Sequence, residues 1–289
     1  MSTRLSHFSN DGLHFPVTDE GPIGGQPVVL LHGFPQTARS WAAVAPLLHQ
    51  HGYRTYAPDQ RGYAPHARPK GRAAYRSSKL AGDINALISA IGQPVHLVGH
   101  DWGSAVAWTT TALWPAQVRS LTSVSVPAPR AFIRSLFSSD QLLRSHYMFF
   151  FQLPWLPEWL MQHQPRAVAR AMIGTGMSAQ QAEAIHTDIL KSGALTGALN
   201  WYRAMFLQGD RHTLQRIRVP TTHVWSSADQ ALARRGAELT ADCVSGPYEL
   251  RILEGVSHWI PEEAPEALAE IIVQTASKAD SASSARPPR

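Results

Sequence analysis

Cysteine is almost missing from this chain: Cys243 is the only one in 289 residues. An internal disulfide and a cysteine-based zinc site are therefore excluded, and a reducing compartment suits the sequence. Long apolar runs are missing too. No uninterrupted stretch reaches the roughly 18 residues that a membrane helix needs, and no continuous apolar segment follows the first basic residue, Arg4. The expectation is a cytoplasmic protein without a membrane span. Acidic residues are in slight deficit, 21 against 26 Lys and Arg, for a net charge of +5. The basic residues are scattered instead of gathered in a stripe, which argues against a nucleic-acid partner. Two of them, Arg286 and Arg289, sit in a Ser/Ala/Pro-rich tail, and residues 276–289 are expected to have no fixed structure. No internal repeat is visible. What the chain does have is 44% hydrophobic residues, enough to fill one large α/β domain or two small ones.

Turn signals at Asn10-Asp11-Gly12 suggest an antiparallel hairpin over residues 6–19. Pro27-Val28-Val29-Leu30-Leu31 reads as a strand buried on both faces, and it ends in His32-Gly33-Phe34-Pro35. Helical spacing follows over 40–51 and again over 77–91, with a strand at 54–58 between them. Asp59 and Arg61, just past that strand, fit loop-bracing roles better than chemistry. Further strands are expected at 121–126, 220–225 and 248–253, and a last helix at 265–277. Strands alternating with helices at this rhythm imply right-handed βαβ units and a mainly parallel sheet. The rhythm breaks between 127 and 217, where only helical and irregular pieces can be read. That segment reads as a helical cap inserted between two parts of a core, 1–126 and 218–275. It is rich in aromatics (Phe132, Phe137, Tyr147, Phe149, Phe150, Phe151, Trp155, Trp159, Trp201, Tyr202, Phe206) and could roof an apolar pocket, although most of these rings are expected to pack the lid against itself.

The apolar run at Val95-His96-Leu97-Val98 stops at Gly99, and Asp101 then stands at the apex of a tight turn. Small residues at Gly103, Ser104 and Ala105 let a helix begin close against the strand. An isolated Gly-x-Asp-x-Gly is more often a helix cap. A nucleophile elbow has the same pattern, with the apex side chain in a cleft and the positive end of a helix aimed at it. Asp229 and His258 favour the second reading. Each follows an apolar strand by a few residues, so all three fall at one edge of a parallel sheet, in the order nucleophile, acid, histidine. Asp242 and Glu254 are the rivals of Asp229.

With those residues in place, the chain resembles an α/β-hydrolase of the epoxide hydrolase family over about residues 5–275. The resemblance rests on His32-Gly33-Phe34-Pro35, Gly99-His100-Asp101-Trp102-Gly103, Asn200-Trp201-Tyr202-Arg203 and Gly255-Val256-Ser257-His258-Trp259. It implies an α/β-hydrolase fold with an α-helical cap, two cap tyrosines, Tyr147 and Tyr202, that activate the epoxide oxygen, and an oxyanion hole made of the Phe34 and Trp102 backbone N–H groups. It also implies that the Phe34-Pro35 bond is cis, and that His32, Pro35, Phe150, Trp201 and Trp259 line the pocket. No cofactor or metal is called for, the partners being a small apolar epoxide and water; a monomer and a homodimer are both compatible.

The chemistry can be argued separately. A carboxylate attacking an sp³ carbon makes an alkyl ester, whereas attack on an acyl group would make a reactive anhydride, so Asp101 disfavours ordinary esterase action. The ester must then be cleaved by a water that His258 deprotonates while Asp229 holds the imidazole. An opening epoxide yields an alkoxide whose conjugate acid has a pKa of roughly 16, and it needs a donor such as Tyr, pKa about 10. A halide needs only hydrogen bonds. Haloalkane dehalogenation and non-catalytic binding of a small ligand remain the alternatives.

Overall fold

The computed structural model describes residues 4–207 and 215–284. Eight strands form one sheet in the order β1-β2-β4-β3-β5-β6-β7-β8. The hairpin β1 (His7–Asn10) and β2 (Leu13–Glu20) is antiparallel, and β2 is antiparallel to β4 (Tyr53–Pro58). From β4 onward every pairing is parallel, through β3 (Gln26–Leu31), β5 (Val95–His100), β6 (Val118–Val124), β7 (Thr221–Ser226) and β8 (Tyr248–Leu253). The central strands β3 and β5 are apolar and buried on both faces because helices cover each side. On one side lie α2 (Ser77–Ile91) and α3 (Trp102–Leu113), and Leu80, Ile84, Leu87 and Ile88 of α2 join the larger core. On the other, α1 (Ala45–Gln50) and the last helix meet a second core around Trp41, Val98, Leu268 and Ile272.

Between β6 and β7 the described residues are helical and irregular: α4 (Pro129–Leu136), α5 (Gln141–Arg144), α6 (His146–Phe150), α7 (Leu156–His163), α8 (Pro165–Gly174), α9 (Ala179–Ile185), a π-helical turn (His186–Lys191) and α10 (Leu195–Ala204). The remaining helices are α11 (Arg234–Leu239), α12 (Ile260–Glu263) and α13 (Pro265–Ser284). Thus α13 continues past residue 277 to Ser284, so the segment expected to lack structure from 276 is helical that far, while residues 285–289 lie outside the described ones. Two ion pairs fasten this polar end to the sheet side: Lys278 to Glu249 at 2.6 Å and Asp280 to Arg119 at 2.5 Å. The helix expected over 40–51 is shorter, a 3-10 turn (Ala38–Trp41) followed by α1, and Gly52 follows its end at φ +82°. Among the described residues no helix is long and apolar enough to cross a membrane.

Candidate active site

Asp101 occupies the N-cap position of α3, where its side chain makes no capping hydrogen bond, and it stands at the apex of a strained turn. Its φ is +51°, uncommon for a residue with a side chain, and its N–H is held by the Val124 carbonyl at 3.1 Å. The strand and helix meet closely enough that a Cβ on Gly99 would fall 2.2 Å from the Gly103 carbonyl oxygen, and a Cβ on Gly103 would fall 2.2 Å from that of Leu31. Only hydrogen fits at either position, which explains the small residues around the apex. Phe34 N–H donates to Asp101 Oδ1 at 2.8 Å from the loop after β3, where the Phe34-Pro35 bond is cis. Trp102 is the first residue of α3, so its N–H has no acceptor within the helix.

His258 lies between two carboxylates. Its Nδ1 meets Asp229 Oδ2 at 2.8 Å, and its Nε2 lies 3.5 Å from Asp101 Oδ2. Burial alone would lower the imidazole pKa, but the two acids override it and raise it to about 10. Burial likewise works to raise Asp101, yet the His258 hydrogen bond and charge, together with Phe34 N–H, hold it below the usual carboxylate range. The other Asp229 oxygen accepts N–H groups from Ala231 (2.7 Å) and Leu232 (2.9 Å), which fixes the carboxylate toward the histidine. The rival Asp242 is solvent-exposed and paired with Arg134 at 2.6 Å. Glu254 sits in the turn directly after β8.

His258 is fixed through its backbone as well. Its carbonyl accepts from His100 Nε2–H at 2.9 Å and from the Ser125 hydroxyl at 3.3 Å. His100 therefore carries its proton on Nε2, and burial lowers its pKa to about 4, so the ring is neutral. The acid and histidine loops also share a contact with the insertion. Gln230 Nε2 donates to Gly174 O and Trp259 Nε1 to Thr175 Oγ1, both at 3.1 Å. Gly176, at φ +101°, comes so near that a Cβ there would lie 2.4 Å from that of Ser257.

Across from the elbow, the insertion brings Tyr147 and Tyr202 together, ring centroids 6.0 Å apart. Tyr202 packs edge-on to Trp102 at 5.0 Å and to Phe34 at 5.2 Å. Burial, and then the negative charge of Asp101 among its neighbours, pushes both phenols well up, so both keep their protons. Of the expected pocket residues, Pro35 is buried beside Phe34, and Trp259 packs on His258 at 5.1 Å. Trp201 is buried with its indole N–H on the Arg61 carbonyl at 2.8 Å, making it an anchor of the wall. His32 is wholly buried and its nitrogens are spent within the scaffold: Nε2 accepts from Gln60 N–H and Nδ1 meets Gly33 O, both at 3.1 Å. It braces the loop that carries Phe34 and leaves neither ring nitrogen free. Phe151, not Phe150, is the ring that reaches the site, 5.0 Å from Tyr202 and 5.5 Å from Phe34; Phe150 lies tilted against Phe151 at 5.9 Å. Asp59 and Arg61 brace loops as expected, Asp59 accepting Ala38 N–H at 2.9 Å and Arg61 pairing with buried Asp83 at 2.7 Å. Sequence reasoning also passed over Tyr63, whose ring meets His32 (4.6 Å) and Trp201 (5.8 Å) edge-on. Phe137, Phe149, Trp155, Trp159 and Phe206 face solvent, so fewer of the insertion's rings pack internally than expected.

The family model described as alpha/beta hydrolase fold matches residues 26–265. An AB hydrolase superfamily protein of Bacillus subtilis, YfhM, is 32% identical over 92% of this chain and 95% of its own length. Epoxide hydrolase A of Mycobacterium tuberculosis is 30% identical, covering 88% of this chain and 91% of its own. Among solved structures, epoxide hydrolase A from Mycobacterium thermoresistibile superposes with a TM-score of 0.81 at 26% identity, over 93% of this chain and 96% of that one.

Proposed function

Because this chain belongs to the α/β-hydrolase family and to its epoxide hydrolase branch, we propose that it converts an apolar epoxide to a vicinal diol through an alkyl ester on Asp101. One observation carries the reading: a single carboxylate faces both a histidine held by a second carboxylate and a pair of protonated phenols. An ionised Asp101 oxygen attacks an epoxide carbon, the ring C–O bond breaks, and Tyr147 or Tyr202 gives its proton to the departing alkoxide. The ester is neutral, so His258 loses one of the two charges that raised its pKa and passes its proton to the tyrosinate. Now neutral, His258 takes a proton from water as the hydroxide adds to the Asp101 carbonyl carbon. Phe34 and Trp102 N–H groups hold the resulting oxyanion; collapse breaks the ester C–O bond, His258 returns its proton to the departing alkoxide to give the diol, and the Asp101 carboxylic acid then passes its own proton to His258, restoring the carboxylate and the imidazolium.

The aromatic lining (Phe34, Phe151, Trp102) suits an aryl or alkyl epoxide. A halide would find no side-chain donor at Phe34, which weighs against dehalogenation. The test is diol release from an aryl epoxide, compared with halide release from a bromoalkane. In a single turnover in isotopically heavy water, label should enter the Asp101 carboxylate. Label in the first diol released instead would mean direct attack by water and would end the ester proposal.

A further inference from the structure

Two buried oxygens beside this machinery lack a donor. Gln36 lies two residues past Phe34, and its Nε2 donates to Glu262 Oε1 in a very short contact. Gln36 Oε1 and Glu262 Oε2 are both buried, and among the described residues neither has a hydrogen-bond partner. An ionised carboxylate has no proton to offer, so it would leave both acceptors unsatisfied away from water. A single proton on Glu262 Oε2 satisfies both oxygens: the acid O–H donates to Gln36 Oε1 while the Gln36 amide donates to Glu262 Oε1. We propose that Glu262 is a protonated positioning residue whose reciprocal bond with Gln36 clamps the oxyanion loop to the helix that follows His258, and that its ionisation releases the clamp.

The surroundings favour the neutral acid. Burial pushes Glu262 up to about 8, opposed by the Gln36 hydrogen bond and the charge of His258. The other charged groups near α12 are engaged elsewhere or carry the same sign. Arg39 of the 3-10 turn pairs with Asp188, Asp59 accepts Ala38 N–H, Glu263 accepts Ser257 N–H, and Glu266 opens α13. The pair joins the two groups that ester hydrolysis needs, since Phe34 N–H lies on Asp101 at 2.8 Å and Glu262 stands four residues past His258. Held neutral, Glu262 adds no third negative charge to the two already acting on the base.

Two readouts need no turnover. Infrared difference spectra of wild type minus E262Q, from about pH 6 to about pH 10, should show a protonated-carboxyl band near neutrality that vanishes with a midpoint of about 8. The Phe34 amide resonance should shift with the same midpoint in wild type and stay unmoved in E262Q. Absence of the band near neutrality, or a Phe34 amide indifferent to the titration, overturns the proposal. The kinetic arm rests on the epoxide hydrolase reading. Wild-type ester hydrolysis should be about tenfold slower at about pH 9 than at about pH 7, because one unit above the midpoint roughly a tenth of the acid remains protonated. E262Q keeps a reciprocal amide pair and should hold its neutral rate without this fall, and the exchanged pair Q36E/E262Q should restore it. A parallel fall in E262Q overturns the positioning role. Failure of every variant to open any epoxide would instead count against the functional reading, with the two spectroscopic readouts still deciding the clamp.

Discussion

Replacing Asp101 with Asn should turn His258 from a resting cation into a nearly ordinary imidazole. The substitution removes one negative charge while preserving shape, and it reproduces the charge state of the alkyl ester. Asp101 Oδ2 lies 3.5 Å from His258 Nε2. At that separation two unit charges in an effective dielectric of about 20 interact by roughly 5 kcal/mol, or about 3 to 4 pKa units. Starting from about 10, His258 in D101N should titrate within about one unit of the usual imidazole value, near 6.5. The sign for stability follows from linkage. A raised imidazole pKa contributes stability that is complete below the unfolded value and is lost as the pH climbs through the folded one. In wild type that loss extends to about pH 10; in D101N it should be over by about pH 8. The assay is nitrogen and proton NMR of the His258 ring across pH, with thermal midpoints measured alongside. A D101N ring still titrating near the wild-type value would refute the electrostatic switch, because the loss of charge on esterification could then not convert His258 to a base.

The catalytic assignments yield two further expectations. In H258Q alkylation should proceed and hydrolysis stall, slowing turnover by about 10²–10⁴-fold, and mass spectrometry of the variant after exposure to an aryl epoxide should show the adduct on Asp101. An unmodified variant beside an active wild type would remove His258 from the second step. Tyr147→Phe and Tyr202→Phe should each slow the rapid-quench alkylation rate by about tenfold or more, and together by up to about 10⁴-fold, the range of a positioned acid. Wild-type rates in both single variants would show that neither phenol protonates the leaving oxygen.

Much of the site was legible because its residues are tied to local signals. An apolar run, a turn apex and small residues are needed together wherever a strand meets a helix at van der Waals distance, so the position of Asp101 could be found from spacing, while its reading as more than a helix cap needed Asp229 and His258 at the same sheet edge. The acid candidate was harder: Asp229 had rivals in sequence, and what separates it from Asp242 is its contact with His258 and the Ala231 and Leu232 N–H groups, while Asp242 is exposed and paired with Arg134. Phe150 and Phe151 could not be told apart because α6 spans five residues, too short for periodicity to set its inward face. His32 reads as a pocket residue until Gln60 is seen to occupy its ring. The polar end of α13 has the composition of a tail, and it is ordered by Glu249 and Arg119, which are distant in sequence. The bond between Gln36 and Glu262 spans 226 positions and leaves no local trace.

The turn from Gly174 to Gly176 touches the loops of both Asp229 and His258, and those loops hang from neighbouring strands, β7 and β8. The insertion is thus no detachable roof. Part of its docking is made on the loops that seat Asp229 and His258, so opening these contacts loosens both, and the turn from Gly174 to Gly176 should lose hydrogen-exchange protection together with the two loops. Without these contacts the loops that carry His258 and Asp229 would lose one wall of the seat in which the two residues meet. Grafting an insertion from a relative would demand a residue without a side chain facing Ser257, a constraint on recombination set far from any substrate.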